Sequence, residues 1–390
     1  MKDRLHFRRL LELSNNQKTS CFLFGPRGTG KTWWLKETFP DALYFDLLQG
    51  DLYIELLSRP ARLEELIPPS YQNYVIIDEI QRIPDLLNEV HRLIESKKIP
   101  FILTGSSART LRRRSTNMLG GRALTYHMYP LTCQELGDNF NLKESICYGH
   151  LPAIFSGVKP ENYLKSYIQT YIKEEVQQEG LTRNLGGFAR FLESAAFSQG
   201  QVVNLAEVAR EASLHRKVVE NFFTILEDLL IAYHLPVFAR RAKRRLINHQ
   251  KFYYFDVGVF RQLRPLGPLD STQEAEGPAL ETLVFQEIKA VNAYYELGYS
   301  LYFWRTASQV EVDFVLYGEK GLIAIEVKRS SSVSPKDLNG LKLFKEDYPE
   351  SKLFLFYGGK QRQYIDGIEV IPLLEALKGL PELLNGNALN

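Results

Sequence analysis

Ser20-Cys21-Phe22-Leu23-Phe24-Gly25-Pro26-Arg27-Gly28-Thr29-Gly30-Lys31-Thr32 decides the fold. The apolar run Ser20 to Phe24 reads as a buried strand, and Thr32 to Phe39 carries helical periodicity. Between them stands a complete G-x-x-x-x-G-K-T phosphate-binding loop. Its glycines let successive backbone N–H groups turn toward phosphate oxygens, and the start of the following helix adds positive potential. Gly25, Pro26, Arg27, Gly28, Thr29, Gly30, Lys31 and Thr32 are therefore expected to cradle ATP. Lys31 would face the β- and γ-phosphates, and the Thr32 hydroxyl would ligate Mg2+.

Working outward, short apolar strands alternate with helical stretches. Ala42 to Phe45, Tyr74 to Ile77, Pro100 to Thr104 and Leu124 to Tyr129 read as strands, and Asp85 to Ser96 as a helix. That alternation predicts a parallel α/β sheet over residues 1–131. Tyr74-Val75-Ile76-Ile77-Asp78-Glu79 ends a strand buried on both faces. Its C-terminal edge belongs beside the phosphate loop. Asp78 is expected to hold the Mg2+ shell, and Glu79 to orient and polarise the attacking water. Phe101 to Ser107 is a third strand with polar residues at its end, so Thr104 or Ser106 can sense the γ-phosphate. Arg122, in Leu119-Gly120-Gly121-Arg122, precedes the next strand and is expected to stabilise transition-state charge, across subunits if the chain forms a homo-oligomer. Arg112-Arg113-Arg114 is a further basic run that reads as a solvated face.

Beyond Pro130 the pattern changes. Thr132 to Glu179 reads as a helical lid or spacer, the second of four expected segments, 132–184. Leu185-Gly186-Gly187 reads as a boundary. Helices are predicted over Phe188–Phe197, Leu205–Ala212 and Arg216–Tyr233, then strands over His234–Ala239 and Lys251–Phe255. Helix, helix-turn-helix, then hairpin is the order of a winged helix, over 185–265. Its wing would carry Arg240-Arg241-Ala242-Lys243-Arg244-Arg245, near His215-Arg216-Lys217, and such clustering fits DNA phosphates. Gly267 to Gly277 reads as a linker into the last segment, 266–390. That segment is predicted as helix Ala279–Leu297, strands Ser300–Arg305, Val310–Tyr317 and Gly321–Val327, helix Lys336–Tyr348 and strand Lys352–Phe356.

In that last segment, period-two alternation puts Glu326 and Lys328 on one strand face, and an adjacent strand brings Asp313 beside Glu326. The carboxylates are expected to hold Mg2+ or Mn2+, with Lys328 positioning the metal-bound water or stabilising charge. Glu281, on the preceding helix, is a further acidic candidate. The alternative is an inactive fold kept as a binding platform.

The chain has 390 residues and a net charge of +2, so no global charge dictates a partner. Three scattered cysteines, Cys21, Cys133 and Cys147, lack metal spacing and fit a reducing cytoplasm. Met1 to Leu13 reads as an amphipathic helix, and no apolar run is long enough to span a membrane.

The phosphate loop, Asp78-Glu79-Ile80-Gln81-Arg82, Leu103-Thr104-Gly105-Ser106-Ser107, Gly121-Arg122 and Tyr129-Pro130-Leu131, in that order, resemble the bacterial and archaeal AAA-type ATPases. More narrowly, Tyr253-Tyr254-Phe255-Asp256-Val257-Gly258, Leu280-Glu281-Thr282-Leu283-Val284 and Glu311-Val312-Asp313-Phe314-Val315 are similar to segments of the group that ends in a poorly characterised C-terminal domain. The resemblance implies an ATPase core, a winged helix and a fold related to the PD-(D/E)XK nucleases. On it, an ATPase would couple its nucleotide cycle to DNA binding and metal-dependent cleavage. The rivals are a nucleotide-controlled scaffold with an inactive nuclease-like domain and a DNA-binding regulator that binds ATP but hardly turns it over.

Overall fold

The computed structural model describes residues 6–13, 18–107, 122–172, 176–177, 182, 184–240, 249–267 and 272–386. The chain divides into two compact units. One comprises Arg8–Tyr129 with Asp228–Ile231, and the other comprises Met1–Phe7, Pro130–Glu227 and Ala232–Asn390. Segments 132–184, 185–265 and 266–390 thus fall almost entirely in one unit.

The first unit is built on β1 (Ser20–Phe24), α1 (Lys31–Thr38), β2 (Leu43–Asp46), α2 (Gly50–Ser58), α3 (Arg62–Glu65), β3 (Val75–Asp78), α4 (Leu86–Lys97), β4 (Phe101–Gly105) and β5 (Ala123–His127). Its five strands are ordered β2-β3-β4-β1-β5, and every pairing is parallel. Parallel strands covered on both faces must be apolar throughout, and Val75, Ile76, Ile77, Phe101, Ile102 and Leu103 are all buried. β4 stands between the loop-bearing β1 and β3, so the ends of all three strands lie side by side. The amphipathic face of α4 packs Leu86, Leu87, Val90 and Leu93 into the core below this edge.

The second unit starts with short helices α5 (Cys133–Leu136), α6 (Leu142–Tyr148) and α7 (Pro160–Ser166). Next come α8 (Leu185–Ala196), α9 (Leu205–Glu211), α10 (Arg216–Asp228) and the antiparallel pair β6 (Ala232–Leu235) and β7 (Lys251–Tyr254). Then α11 (Val257–Leu263) and the long α12 (Thr272–Tyr294) lead to a six-stranded sheet. Its strands are β8 (Ser300–Arg305), β9 (Glu311–Gly318), β10 (Gly321–Lys328), β11 (Lys352–Tyr357), β12 (Gln363–Ile365) and β13 (Ile368–Pro372), ordered β12-β13-β11-β10-β9-β8. Helix α13 (Pro335–Asp347) packs Leu338, Leu341 and Phe344 into the sheet core, and α14 (Leu373–Lys378) and α15 (Leu380–Asn385) close the described chain.

Three expectations need correction. Residues 6–13 form no helix, although charged and apolar residues alternate there, and residues 1–5 lie outside the described residues. The helix expected from Phe188 starts at Leu185, so Leu185-Gly186-Gly187 forms the first turn of α8. Asn184 caps it, its side-chain oxygen accepting from Gly187 N at 2.8 Å, which offsets the helix-weakening glycines. Thr272 to Gly277, read as linker, is helical, and Pro278 lies inside α12. Proline cannot donate to the carbonyl four residues back. Here Glu274 O accepts from Arg264 Nη1 at 3.3 Å instead.

Asp256-Val257-Gly258 has a structural role. The Asp256 carboxylate accepts from His150 N at 2.8 Å and from Val259 N at 3.1 Å, capping α11 while holding the chain after α6. A Cβ on Gly258 would lie 2.0 Å from Tyr148 O, and one on Gly149 would lie 2.2 Å from Asp256 Oδ1, so neither position admits a side chain. Among the described residues no helix is long and apolar enough to cross a membrane.

Candidate functional site

In the first unit, the loop after β1 turns because Gly28 and Gly30 adopt φ of 86° and 93°, which favour glycine. Gly25 is pressed so close to the chain just after β5 that a Cβ would sit 2.4 Å from Met128 O. Thr29 Oγ1 closes the turn onto Pro26 O at 2.9 Å. Lys31, buried, donates from Nζ to Gly25 O at 2.6 Å and to Pro26 O at 3.2 Å, which keeps its ammonium over the loop. Arg9, unread in the sequence, braces the loop by donating to Thr29 O at 3.0 Å and Tyr129 O at 2.6 Å.

The strand ends converge on Asp78. Thr32 Oγ1 donates to Asp78 Oδ2 at 2.8 Å, and Thr104 Oγ1 donates to Oδ1 at 2.8 Å. The Tyr44 hydroxyl also donates to Oδ2. Burial and the Asp78 charge push the Tyr44 phenol well up, so it stays a donor. A hydroxyl and a carboxylate side by side below the loop fit a hydrated Mg2+. Glu79, the next residue, takes a left-handed backbone with φ 61°. A non-glycine residue there carries strain that recurs at functional sites. Gln81 Nε2 holds its carboxylate and donates to Ser106 Oγ at 3.1 Å, and Ser106 Oγ lies 3.4 Å from Glu79 Oε2.

The structure thus brings Lys31, Thr32, Asp78, Glu79, Thr104 and Ser106 to one edge. Thr104 is spent on Asp78, and Ser106 faces Glu79. Arg122 is exposed and ion-paired with Glu95 of α4. Tyr44 and Gln81 were missed because only the β2–β3 register, Asp46 opposite Asp78, and the turn after β3 bring them there.

In the second unit, antiparallel pairing of β9 and β10 brings Asp313 beside Glu326 and Lys328, and α12 adds Glu281. All four expected residues converge, yet the middle of the cluster is a side chain that the sequence pattern does not single out. Lys251 of β7, whose side chain is 1% exposed, points its ammonium at Glu311 (2.5 Å), Glu281 (3.1 Å) and Asp313 (3.5 Å). Tyr253 OH also donates to Glu281. Lys328 Nζ sits 2.6 Å from Glu326 Oε1. Asp313 Oδ2 accepts from Val327 N at 2.9 Å, and Glu326 Oε2 accepts from Asp313 N at 3.3 Å.

Burial pushes Glu281 up to about 7 and Glu326 up to about 8, with the Asp313 charge adding to both. Burial alone would lower the Lys251 ammonium, but Glu281, Tyr253, Asp313 and Glu311 outweigh it and hold it well above its ordinary value. Among the described residues, no group of three or more His, Cys, Asp or Glu has a metal-holding arrangement. Of the residues expected to hold a metal, Glu281 and Asp313 face the Lys251 ammonium and Glu326 faces Lys328 Nζ. A lysine opening the otherwise aromatic run Lys251-Phe252-Tyr253-Tyr254 was the signal available.

On the basic side, Arg240 lies over the Tyr317 ring at 4.6 Å, Arg216 pairs with Glu220 at 3.0 Å, and Arg241, Lys243, Arg244 and Arg245 lie outside the described residues, as do Arg112 to Arg114.

Residues 17–137 match the family described as an AAA domain. Residues 139–270 and 276–376 match two domains of unknown function, DUF8612 and DUF4143. An uncharacterized protein of Mycobacterium tuberculosis is 27% identical over 302 residues, covering 74% of this chain and 65% of its own length. The chain therefore spans about two-thirds of that relative. One of Haemophilus influenzae is 22% identical, covering 81% of this chain and 80% of the relative. Among solved structures, the ORC1 protein of Aeropyrum pernix in complex with DNA aligns at 14% identity over 63% of this chain and 86% of that one. The TM-score of that alignment is 0.23. The geometry and the family match together make residues 17–137 an AAA-type, ATPase-like P-loop domain.

Proposed function

We propose that this chain binds and hydrolyses ATP at the first-unit edge and uses the nucleotide cycle to control DNA binding by the second unit. The observation that carries the ATP reading is Asp78 linking Thr32 and Thr104 at 2.8 Å each, directly below a complete phosphate loop. Lys31 takes phosphate charge, and the loop N–H groups orient the phosphates. Thr32 and Asp78 would hold a Mg2+, which would supply positive charge against the phosphates. Glu79, held by Gln81 and Ser106, orients water and accepts its proton. Arg122 would leave Glu95 to meet phosphate charge from a neighbouring copy.

DNA binding rests on the order α9, turn, α10, β6, β7, which is that of a winged helix, and on the basic run Arg240 to Arg245. The second unit's final sheet, read as related to PD-(D/E)XK nucleases, is assigned a scaffold role, because Lys251 fills the centre of its carboxylate cluster. The test is ATP binding and steady-state hydrolysis, with and without duplex DNA. Lys31→Ala should lose both, and Glu79→Gln should bind ATP while turnover falls about 100- to 10,000-fold. Unimpaired turnover by Glu79→Gln would refute the assignment.

A further inference from the structure

We infer that the ammonium of Lys251 is the resident cation of the carboxylate cluster, standing where Glu281 and Asp313 would otherwise hold a divalent metal. This deepens the scaffold reading of the final sheet and is independent of the ATP reading.

The strand that carries Lys251 is fixed on both sides. Lys251 pairs with Leu235 in β6 and bridges Val202 on its other edge, so its Cα cannot drift. Its side chain is 1% exposed, and the Phe303 ring lies 5.5 Å from Nζ. A buried ammonium persists only where carboxylates compensate it. Three do so within 3.5 Å: Glu311, Glu281 and Asp313. A divalent ion at the same point would meet the ammonium at contact distance, and like charges there repel strongly.

Asp313 and Glu326 have further oxygens that are also engaged. Asp313 Oδ2 accepts from Val327 N at 2.9 Å, Glu326 Oε1 faces Lys328 Nζ at 2.6 Å, and Glu326 Oε2 accepts from Asp313 N at 3.3 Å. A lysine supplies the neutralising charge that a metal would bring, but it cannot exchange. It pins β7 to α12 and β9 as a permanent electrostatic crosslink.

The test is a Mn2+ titration of the nucleotide-free full chain, read by electron paramagnetic resonance of free Mn2+ and by thermal unfolding. Wild type, Asp313→Ala, Lys251→Met and the double variant are compared, so that any uptake at the phosphate loop is common to all four. Wild type and Asp313→Ala should take up the same Mn2+. Lys251→Met should bind one additional ion that the double variant lacks, and its Tm should rise with Mn2+ while the wild-type Tm stays put. Asp313-dependent Mn2+ uptake by the wild type overturns the inference, and so does a folded Lys251→Met that gains no ion. The wild-type comparison stands whether or not Lys251→Met folds. ATP hydrolysis by the same wild-type sample reports separately on the ATP reading.

Discussion

Gln81→Ala should slow ATP turnover while leaving ATP affinity unchanged. Gln81 Nε2 donates both to Glu79 Oε2 and, at 3.1 Å, to Ser106 Oγ. Of the two side chains that hold the Glu79 carboxylate, Gln81 makes the closer contact, Ser106 lying at 3.4 Å. A hydrogen bond to a charged group contributes about 1.5–3 kcal/mol, and each 1.4 kcal/mol is tenfold in rate. If the bond serves only to aim Glu79, its loss should lower kcat about 10- to 100-fold. The Gln81 amide is directed at Glu79 and Ser106 rather than at the phosphate loop, so Kd for ATP should stay within about twofold, a difference of only ~0.4 kcal/mol. Gly105→Ala offers a parallel route, because its new Cβ would sit 2.4 Å from Gln81 Oε1 and displace the amide. The assay is single-turnover hydrolysis at saturating ATP, alongside binding of a fluorescent ATP analogue. Equal losses in affinity and turnover would refute the aiming role, as would an unchanged kcat in Gln81→Ala.

Arg122→Ala should abolish hydrolysis with ATP affinity retained, and mixing it with Lys31→Ala should restore part of the activity; unaltered turnover in Arg122→Ala alone would exclude the role. Neutralising Arg240, Arg241, Lys243, Arg244 and Arg245 should weaken duplex DNA binding for every sequence and reduce the slope of log K against log salt by about 0.9 for each phosphate no longer neutralised. An unchanged slope would mean that the run faces protein or solvent. Glu326 is held above its ordinary range, so the folded state binds its proton more tightly than the unfolded state does. Its contribution to stability is full below the ordinary carboxylate range and fades as pH rises through about 8, so Tm should fall between pH 5 and 8. Glu326→Gln, which cannot ionise, should flatten that fall, and a slope identical to wild type would contradict the burial argument.

Local signals were legible where chemistry and element coincide. The loop Gly25 to Thr32 announced both a turn and a phosphate site, and Ile76-Ile77-Asp78-Glu79 announced a buried strand with acids at its end. The side chains that finish each site were not legible, because they arrive by pairing across the sheet or by long-range packing. Tyr44 reaches Asp78 only once β2 lies beside β3 in register. Lys251 reaches Glu281 and Asp313 across 30 and 62 residues of sequence. Helix starts were misplaced where punctuation residues were rescued by a partner: Asn184 capped the Gly186-Gly187 pair, and Arg264 took the carbonyl that Pro278 could not serve. Helix α2 escaped notice because it opens on Gly50 and buries only Leu56.

The bond from His150 N to Asp256 spans 106 residues, and Gly149 and Gly258 meet there with no space for side chains. Such a contact requires a long loop to close before any of its stabilisation is gained. On the ribosome, the His150 amide must therefore wait unlatched until Asp256 has emerged, while its neighbours Ser145 and Gly149 bond locally within and after α6. The five strands of the first unit are complete by His127 and need no such wait. Synthesis order thus favours an early phosphate-loop sheet and a late second unit, and chaperone demand should concentrate in the interval between them.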